Sequence, residues 1–228
     1  MAPEPIKILK NISLFSEFSL DDLAYVKSIL IRKKYKKNDT IFYEGDDGSE
    51  MFIVRSGQVK ILTTSADGQE MILGVLLPGD FFGEMSLLDN QPRSAMAVAT
   101  AKETELLIIR QEEFLKLVRE KASLFKEVMG ELCRRLRTAD EQIQDLVFVD
   151  VKERLVKKLI SLAAKGTKKG DWVEIELKLT HKDLADMIGS SRETVSRILQ
   201  ELFDTKNVSM DRQKIALKVQ NLKKSIKK

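Results

Sequence analysis

The sequence has little of what builds disulfide scaffolds, metal centres or catalytic sites. Its 228 residues include 1 cysteine, Cys133, and 1 histidine, His181. A single cysteine excludes a disulfide within one chain and any cluster of thiolate ligands. A single histidine leaves little for histidine-based catalysis or haem ligation, and the sequence contains no nucleophile–base pair and no P-loop. We therefore expect no metal site, no covalent cofactor and no enzymatic activity.

Long apolar runs are absent too. No stretch approaches the roughly 18–20 apolar residues that span a bilayer. The N-terminal MAPEPIKILKNISLF lacks the charged and apolar regions of a signal peptide. We expect a cytoplasmic protein without a membrane partner. What is present, 43% apolar and 32% charged residues in a chain of this length, suits two folded domains.

Positive charge is concentrated in the C-terminal part. Residues 150–228 carry 19 Lys and Arg against 11 Asp and Glu, a net charge of +8. Residues 1–149 carry 20 against 24, a net charge of −4. This asymmetry favours contact between the C-terminal part and a polyanion, although a solvated lysine-rich surface would give the same counts.

The N-terminal half changes from a helical to a strand pattern. Residues 10–34 predict a short helical lead-in, with Ser19 as an N-cap. From residue 38 to residue 110, short apolar runs alternate with turn signals at intervals of about 8–12 residues, which is typical of an antiparallel β-sandwich or barrel. Asp67-Gly68 is the expected tip of a hairpin.

A long helix is predicted next, over residues 123–148. Apolar side chains recur there at alternating steps of three and four, the heptad pattern of a coiled coil. The predicted seam consists of Phe125, Val128, Leu132, Arg135 or Leu136, Ala139, Ile143 and Leu146. A second copy of the chain is the simplest partner for such a stripe. Packing of the helix against the chain's own sandwich is the alternative.

Residues 150–228 predict a second domain. A helix runs from Val151 to about Ala164 and ends in a loop at Lys165–Gly170. WVEIEL then alternates like a half-exposed strand. Two helices follow, then the strand-like KIALKV, and the final NLKKSIKK is expected to be a frayed basic tail.

The two helices of this domain lie in LTHKDLADMIGSSRETVSRILQEL. Thr180 is the expected N-cap of the first helix, and Gly189 can adopt the positive φ that ends it. Ser190 or Ser191 caps the second helix. The expected buried face of that helix consists of Val195, Ile198, Leu199 and Leu202. A short turn between two capped helices, in a basic domain, predicts a DNA-binding helix-turn-helix.

The opposite face of the second helix is polar. Its side chains, which a recognition helix would present to the major groove, are Arg192, Glu193, Ser196 and Arg197. Arginine can bind guanine O6 and N7 as a bidentate fork, and glutamate can accept from cytosine N4. The expected phosphate contacts are Thr180, Lys182, Ser191 and Thr194. The alternative, a surface helix laced with Arg–Glu pairs, explains the charges but not the capped turn.

The stretch IGSSRETVSRIL resembles the recognition region of the cyclic-AMP receptor protein and FNR family of bacterial transcription regulators. The resemblance implies that Arg192, Glu193 and Arg197 bind a TGTGA-like half-site. It also implies a winged helix-turn-helix with a hairpin around residues 172–177, and RNA polymerase as a partner near the Lys165–Gly170 loop. His181 is expected to be exposed or beside a phosphate, and neither a ligand nor a catalyst.

A second stretch, PGDFFGEMSLLDNQPRSAMAVA, places a glycine beside a carboxylate and an Arg-Ser pair ten residues later. Glycine lets a backbone N–H approach a ligand, a carboxylate can accept from a ribose hydroxyl, and an arginine fork suits a phosphate. The stretch resembles the phosphate-binding cassette of cyclic-nucleotide-binding domains. The resemblance implies that Gly83 and Glu84 bind the ribose and that Arg93 and Ser94 bind the cyclic phosphate.

The base-binding part of this pocket departs from the family pattern. Leu73 and the strands near Val59 would wall the pocket. The Thr-Ser pair that contacts adenine in the family falls on Ala139 and Asp140 here, with Arg135 one turn earlier. Cyclic AMP is the first expected effector, and cyclic GMP, cyclic di-GMP or no nucleotide at all are the alternatives.

The expected fold is α+β. It consists of an antiparallel, jelly-roll-like β-roll sensor domain at residues 1–122, a dimerisation helix at 123–149 and a winged helix-turn-helix domain at 150–228. The expected function is that of a homodimeric, ligand-regulated transcription regulator that binds duplex DNA. The alternatives are a constitutive DNA-binding regulator with another effector or none, and a cyclic-nucleotide-binding regulatory subunit that does not bind DNA.

Overall fold

A computed structural model describes residues 9–164, 166–211 and 214–226. The chain divides into two compact units, with the division between Arg137 and Thr138. The division lies inside one continuous helix, so the two units share a single element of secondary structure.

The first unit begins with helical turns and continues as a series of short strands. Its elements are a 3-10 turn at Ser13–Phe15, α1 at Leu20–Ile29, β1 at Ile31–Lys36, β2 at Thr40–Phe42, β3 at Glu50–Ser56, β4 at Val59–Thr64, β5 at Glu70–Leu76, β6 at Phe81–Phe82, α2 at Glu84–Asp89, β7 at Met96–Ala99, β8 at Glu103–Arg110, α3 at Gln111–Glu120 and α4 at Ala122–Phe148, which continues into the second unit.

The strands of the first unit form two four-stranded antiparallel sheets. The strand order is β1-β8-β3-β6 in one sheet and β2-β7-β4-β5 in the other. The expected hairpin tip at Asp67-Gly68 lies in the turn between β4 and β5, where Thr64 pairs with Glu70. The predicted antiparallel β-sandwich is therefore confirmed, and with it the α+β class.

Strand β3 is buried on both faces because it lies between two apolar cores. Met51 and Ile53 point towards a cluster formed with the N-terminal turns, α1, α3 and α4. Phe52 and Val54 point between the two sheets. A strand with two buried faces has a continuous apolar sequence rather than an alternating one, as the segment from Met51 to Val54 has. Strand β3 also pairs with β6, the strand that leads into α2.

Two residues of the predicted seam on α4, Val128 and Leu132, pack against the first unit's own core. Val128 is 1% exposed and belongs to the first unit's own core, whereas its neighbour Met129 is exposed. A one-residue step turns a helical side chain by about 100°, so the exposed stripe passes through Met129 instead. The exposed apolar side chains of α4 are Phe125, Met129, Leu136, Ile143, Leu146, Val147 and Phe148. In the described part of the chain, no helix combines the length and the apolar character of a membrane span.

The second unit combines a helix-turn-helix with a small sheet. Its elements after α4 are α5 at Val151–Ala163, β9 at Thr167–Lys169, β10 at Trp172–Glu174, α6 at His181–Ile188, α7 at Arg192–Asp204, β11 at Val208–Asp211, β12 at Lys214–Leu217 and α8 at Val219–Ile226. The strands form a four-stranded antiparallel sheet in the order β11-β12-β10-β9.

Two local predictions for this unit were wrong. The predicted loop at Lys165–Gly170 contains strand β9, which pairs with β10 across the turn at Gly170, and β10 ends at Glu174. Lys165 itself lies outside the described residues. The predicted frayed tail forms helix α8 as far as Ile226, because Leu222 is buried against the unit's core and α8 packs on α5. The last two residues, 227 and 228, lie outside the described part.

Candidate functional site

The junction between β6 and α2 depends on a glycine. Gly83 has φ +81°, in the left-handed region, where a side chain is strained. A Cβ at this position would also lie 2.7 Å from Nη1 of Arg93. The glycine therefore permits both the sharp turn into α2 and the close approach of the arginine, which brings the two ends of the predicted cassette together.

Glu84, the first residue of α2, is a buried carboxylate held on one side only. It is 1% exposed, and its Oε1 accepts a hydrogen bond of 2.9 Å from Nη1 of Arg135 on α4. The same guanidinium donates to the Phe81 carbonyl and, through Nε, to Glu131. Burial raises the pKa of Glu84, and the charge of Arg135 offsets part of that effect. The Oε2 atom has no hydrogen-bond partner.

Arg93 is enclosed between the two sheets. It is 5% exposed and donates 2.7 Å hydrogen bonds from Nη1 to the Gly83 carbonyl and from Nη2 to the Glu50 carbonyl. Its guanidinium lies 4.4 Å from the ring centroid of Phe42, a cation–π contact. Its Nε atom is buried and has no partner.

Both ends of the cassette therefore carry an unsatisfied polar atom. Among the residues that the structure describes, Glu84 Oε2 and Arg93 Nε are the buried side-chain nitrogen and oxygen atoms without a hydrogen-bond partner. Leaving a charged group's atom buried and unpaired is unfavourable by about 1–3 kcal/mol or more. Buried unpaired polar atoms are rare in native folds and a bound polar group is one explanation for them, so the pair makes the cassette a candidate binding site.

The remaining predicted pocket residues differ in exposure. Ser94 is exposed, with its hydroxyl 3.8 Å from the Met85 sulfur. Leu73 on β5 is also exposed, whereas Val59 belongs to the core between the sheets. Ala139 and Asp140 are exposed on α4, in the part of that helix that belongs to the second unit.

The helix-turn-helix has the caps that the sequence predicts. Thr180 and Asp183 form a reciprocal capping box at the start of α6, and Gly189 ends that helix with φ +61°. Ser191 caps α7, because its Oγ accepts from the Thr194 backbone N–H at 3.1 Å, so Ser191 rather than Ser190 is the N-cap. These caps set a short turn between the two helices.

Helix α7 is buried on one face and polar on the other. The predicted buried residues Val195, Ile198, Leu199 and Leu202 are all buried. Arg192, Glu193 and Arg197 are exposed on the other face. Ser196 differs from them, because it is half-buried with its hydroxyl 2.8 Å from Nδ1 of His181. His181 is therefore half-buried rather than exposed and joins the starts of α6 and α7, while its place beside a phosphate stays a prediction.

The four predicted phosphate contacts lie at the starts of these helices. Thr180, Lys182 and Ser191 are exposed and Thr194 is half-buried. Lys182 forms a 2.7 Å salt bridge with Asp186 one turn later. The structure thus gathers these side chains at the helix N-termini, where backbone N–H groups also favour anions.

Comparison with known proteins identifies both units. Residues 32–121 match the cyclic nucleotide-binding domain, and residues 153–224 match the Crp-like helix-turn-helix domain. The cyclic AMP receptor protein of Thermus thermophilus is 38% identical to this chain over 196 residues, which cover 86% of this chain and 88% of that protein. The chain belongs to the Crp/Fnr family. A CRP-like cAMP-activated global transcriptional regulator of Mycobacterium tuberculosis is 31% identical over 196 residues, covering 86% and 87% of the two chains.

A solved structure extends the likeness of this Crp/Fnr protein to its fold. A CooA mutant from Carboxydothermus hydrogenoformans has a TM-score of 0.78 at 23% identity, and the match covers 99% of this chain and 97% of that one. The two matched domains and the curated relatives, which are transcription regulators, show that the protein is a DNA-binding transcription regulator with a cyclic nucleotide-binding domain, and not an enzyme. Among the described residues no group of His, Cys, Asp and Glu side chains could hold a metal ion.

Sequence reasoning missed several polar contacts of this Crp/Fnr regulator. Arg154 on α5 donates to the Val149 carbonyl at 2.9 Å and to the Ile188 carbonyl at 3.2 Å, joining the end of α4 to the end of α6. Glu201 accepts from Arg197 and from Lys152 of α5. The four-residue step from Arg197 to Glu201 is a helical pair visible in the sequence. The contacts of Arg154 and Lys152 join residues distant in sequence, so no local pattern signals them.

Proposed function

We propose that this regulator is a homodimer whose DNA binding is controlled by a cyclic nucleotide, with cyclic AMP as the first candidate. The observation that carries the proposal is the pair of buried, unpartnered atoms, Glu84 Oε2 and Arg93 Nε, in one cassette. An acceptor and a donor of opposite charge suit a ligand that offers both a hydroxyl and an anionic phosphate.

The proposed ligand contacts follow from these two atoms. A ribose hydroxyl donates to Glu84 Oε2 beside the Gly83 backbone, and the cyclic phosphate accepts from Arg93 and from the exposed Ser94 hydroxyl. Arg135 holds the other oxygen of Glu84 and so connects the pocket to helix α4. The ligand thereby supplies the partners that the two buried atoms lack.

The choice of nucleotide depends on the base-binding residues. Curated relatives are named for cyclic AMP, and that favours cyclic AMP here. However, we propose Ala139 and Asp140 at the positions where the family has its adenine-contacting Thr-Ser pair, and alanine cannot form a side-chain hydrogen bond. Leu73 is the proposed apolar wall. Cyclic GMP and cyclic di-GMP are therefore tested beside cyclic AMP.

The proposed DNA target is a palindrome with TGTGA-like half-sites. Arg192, Glu193 and Arg197 would contact base edges, with Ser196 at the same face but engaged by His181. The proposed phosphate contacts are Thr180, Lys182, Ser191 and Thr194. A dimer through the helix at residues 123–148 would set the recognition helices about 34 Å apart, the spacing of successive major grooves.

The exposed stripe of α4 supports the proposed dimer. The large apolar side chains Met129, Leu136 and Ile143 recur every seven residues on its exposed side. We propose that the ligand binds better to the state in which this helix pair is fully wound, which shifts the population towards DNA binding. Cytoplasmic location, contact with RNA polymerase, and the three-part organisation at residues 1–122, 123–149 and 150–228 belong to the same proposal.

Calorimetry combined with DNA binding tests the proposal. Cyclic AMP, cyclic GMP and cyclic di-GMP are each titrated into the protein, and each sample is then tested on a TGTGA…TCACA duplex at fixed salt. We expect one nucleotide to bind at micromolar affinity or better and to tighten DNA binding about tenfold, a coupling of ~1.4 kcal/mol. Ser94→Ala should weaken the binding of that nucleotide without unfolding the protein. Arg119→Ala, at an exposed position on α3, should leave nucleotide binding unchanged.

One observation favours a second candidate, a constitutive DNA-binding regulator. Both terminal nitrogens of Arg93 already donate to backbone carbonyls, so the cassette is closed on itself without a phosphate. This candidate predicts that the protein binds the duplex tightly whether or not any of the three nucleotides is present. Such a result would overturn the ligand proposal and leave the DNA proposal standing.

A further inference from the structure

Arg197 is held by a neighbour that is itself held from another helix. Its Nη1 lies 3.0 Å from Glu201 Oε1, one turn later on α7. The other oxygen of that carboxylate, Oε2, lies 2.9 Å from Nζ of Lys152 on α5. Each carboxylate oxygen therefore has its own cationic partner, and the second partner comes from outside the helix.

This arrangement adds a second cationic partner to a surface ion pair whose side chains are 42% to 69% exposed. An isolated helical pair samples many side-chain rotamers, because neither partner is fixed. Glu201 is held between Arg197 on its own helix and Lys152 on α5, which limits where its carboxylate can lie. The hydrogen bond from Lys152 is the largest of the causes that lower the pKa of Glu201. Arg192, at the start of the same helix, has no side-chain partner in the described part of the chain.

The salt bridge to Glu201 uses only Nη1 of Arg197 and leaves the other edge of the guanidinium available for DNA. Arginine carries five N–H donors in a planar fork, and bidentate binding of guanine uses two neighbouring ones. Glu201 takes one donor on Nη1, so the edge formed by Nε and Nη2 remains available. Fixing a flexible side chain before binding lowers the entropy lost on binding.

We infer that Glu201 is a positioning residue for DNA recognition: held by Lys152, it orients Arg197 so that the free edge of the guanidinium binds a guanine. This inference rests on the proposed function, in which Arg197 contacts a base. Glu201 itself touches no DNA in this arrangement, and its carboxylate acts through the arginine alone.

The test measures base preference rather than affinity alone. The nucleotide-saturated or nucleotide-free full-length protein, whichever binds DNA more tightly, is bound to a set of operator duplexes with each base pair changed in turn. Arg197→Ala first identifies the base pair whose preference depends on Arg197. At that base pair, we expect Glu201→Ala to reduce the preference for guanine roughly fivefold, and Lys152→Met to reduce it by a smaller factor. The variant that combines Glu201→Ala with Lys152→Met should lose no more of the guanine preference than Glu201→Ala alone, because both residues act through Arg197.

Asp204→Ala is the matched control. It removes the same charge from the same helix, and its partner is Gln200 rather than Arg197. Loss of either acidic residue should strengthen binding to all sequences slightly, because a negative charge near phosphates is removed. Of these two acidic-residue variants, only Glu201→Ala should change the base preference at the base pair that depends on Arg197.

The possible outcomes separate the two proposals. If Arg197→Ala changes no base preference, the proposed DNA contact of Arg197 is wrong. If Arg197→Ala does change one, but Glu201→Ala behaves like Asp204→Ala, the positioning role is wrong and the DNA proposal stands. A sharper guanine preference in Glu201→Ala would also overturn the inference, because Glu201 would then compete with DNA for the arginine. Circular dichroism melting confirms that each variant is folded.

Discussion

The two candidate sites hold their arginines in opposite surroundings. Arg93 is 5% exposed and donates to two backbone carbonyls, whereas the side chain of Arg197 is 69% exposed and contacts a carboxylate at the surface. The buried guanidinium of Arg93 joins separate segments of the fold, because it donates to the carbonyls of both Gly83 and Glu50. An exposed one contributes little to stability. The ligand contact proposed for Arg93 is therefore tied to folding, whereas the DNA contact proposed for Arg197 is separate from it.

The largest expected effect is that of Arg93→Ala. We expect it to lower the free energy of unfolding by about 3 kcal/mol, because the Gly83 and Glu50 carbonyls lose their donor and Phe42 loses its stacked cation. Urea unfolding followed by circular dichroism measures the change. Arg93→Lys, which keeps the charge but not the fork, should recover less than half of the loss. Unfolding at the wild-type urea concentration would break the comparison.

Gly83→Ala should have the next largest effect on stability. We expect the free energy of unfolding to fall by about 2 kcal/mol. The alanine would have to keep the left-handed backbone of Gly83, and its Cβ would lie 2.7 Å from Arg93 Nη1. Gly68→Ala is the matched control, since Gly68 has φ +78° but open space around a Cβ. It should lose only about 1 kcal/mol, measured in the same urea titrations. Equal losses would show that crowding against Arg93 contributes nothing.

Arg197→Ala should separate function from stability. We expect the free energy of unfolding to change by no more than about 0.5 kcal/mol, because the side chain is exposed. The discrimination between the preferred base pair and its variants should fall by about 1–3 kcal/mol. Thermal melting and fluorescence-anisotropy titrations on paired duplexes measure the two quantities. A large fall in melting temperature would mean that this arginine, too, is part of the fold.

Glu84→Gln should change how stability depends on pH. Burial raises the folded-state pKa of Glu84 above 4.5, so the folded state binds more protons than the unfolded state between those two values. Wild-type stability should therefore fall as pH rises from about 4.5 through the raised pKa, relative to the neutral variant. Urea titrations from pH 4 to pH 8 measure the difference. If the wild type and the Glu84→Gln variant show the same trend with pH, the assignment of that trend to Glu84 is wrong.

Sequence patterns predicted the elements whose signals are local. The capping boxes at Ser19 and Thr180, the hairpin tip at Asp67-Gly68 and the buried face of α7 all depend on residues within one or two turns of each other. The predictions for β9 and α8 failed because lysine-rich segments have weak local signals. Strand β9 forms by pairing with β10, and α8 forms by packing on α5, so each depends on another element of the chain.

The amino-acid sequence alone determined the family, through stretches that resemble those of its members. It also determined the two-part organisation and the polar face of α7, because these depend on composition and helical periodicity. Only the tertiary structure decided that Val128 lies in the core while Met129 is exposed, that His181 holds Ser196, and that Glu84 and Arg93 each keep one buried atom unpaired. These facts depend on which side chains meet across distant segments. Periodicity gives the direction of a side chain on its own helix or strand, but packing decides what lies opposite it.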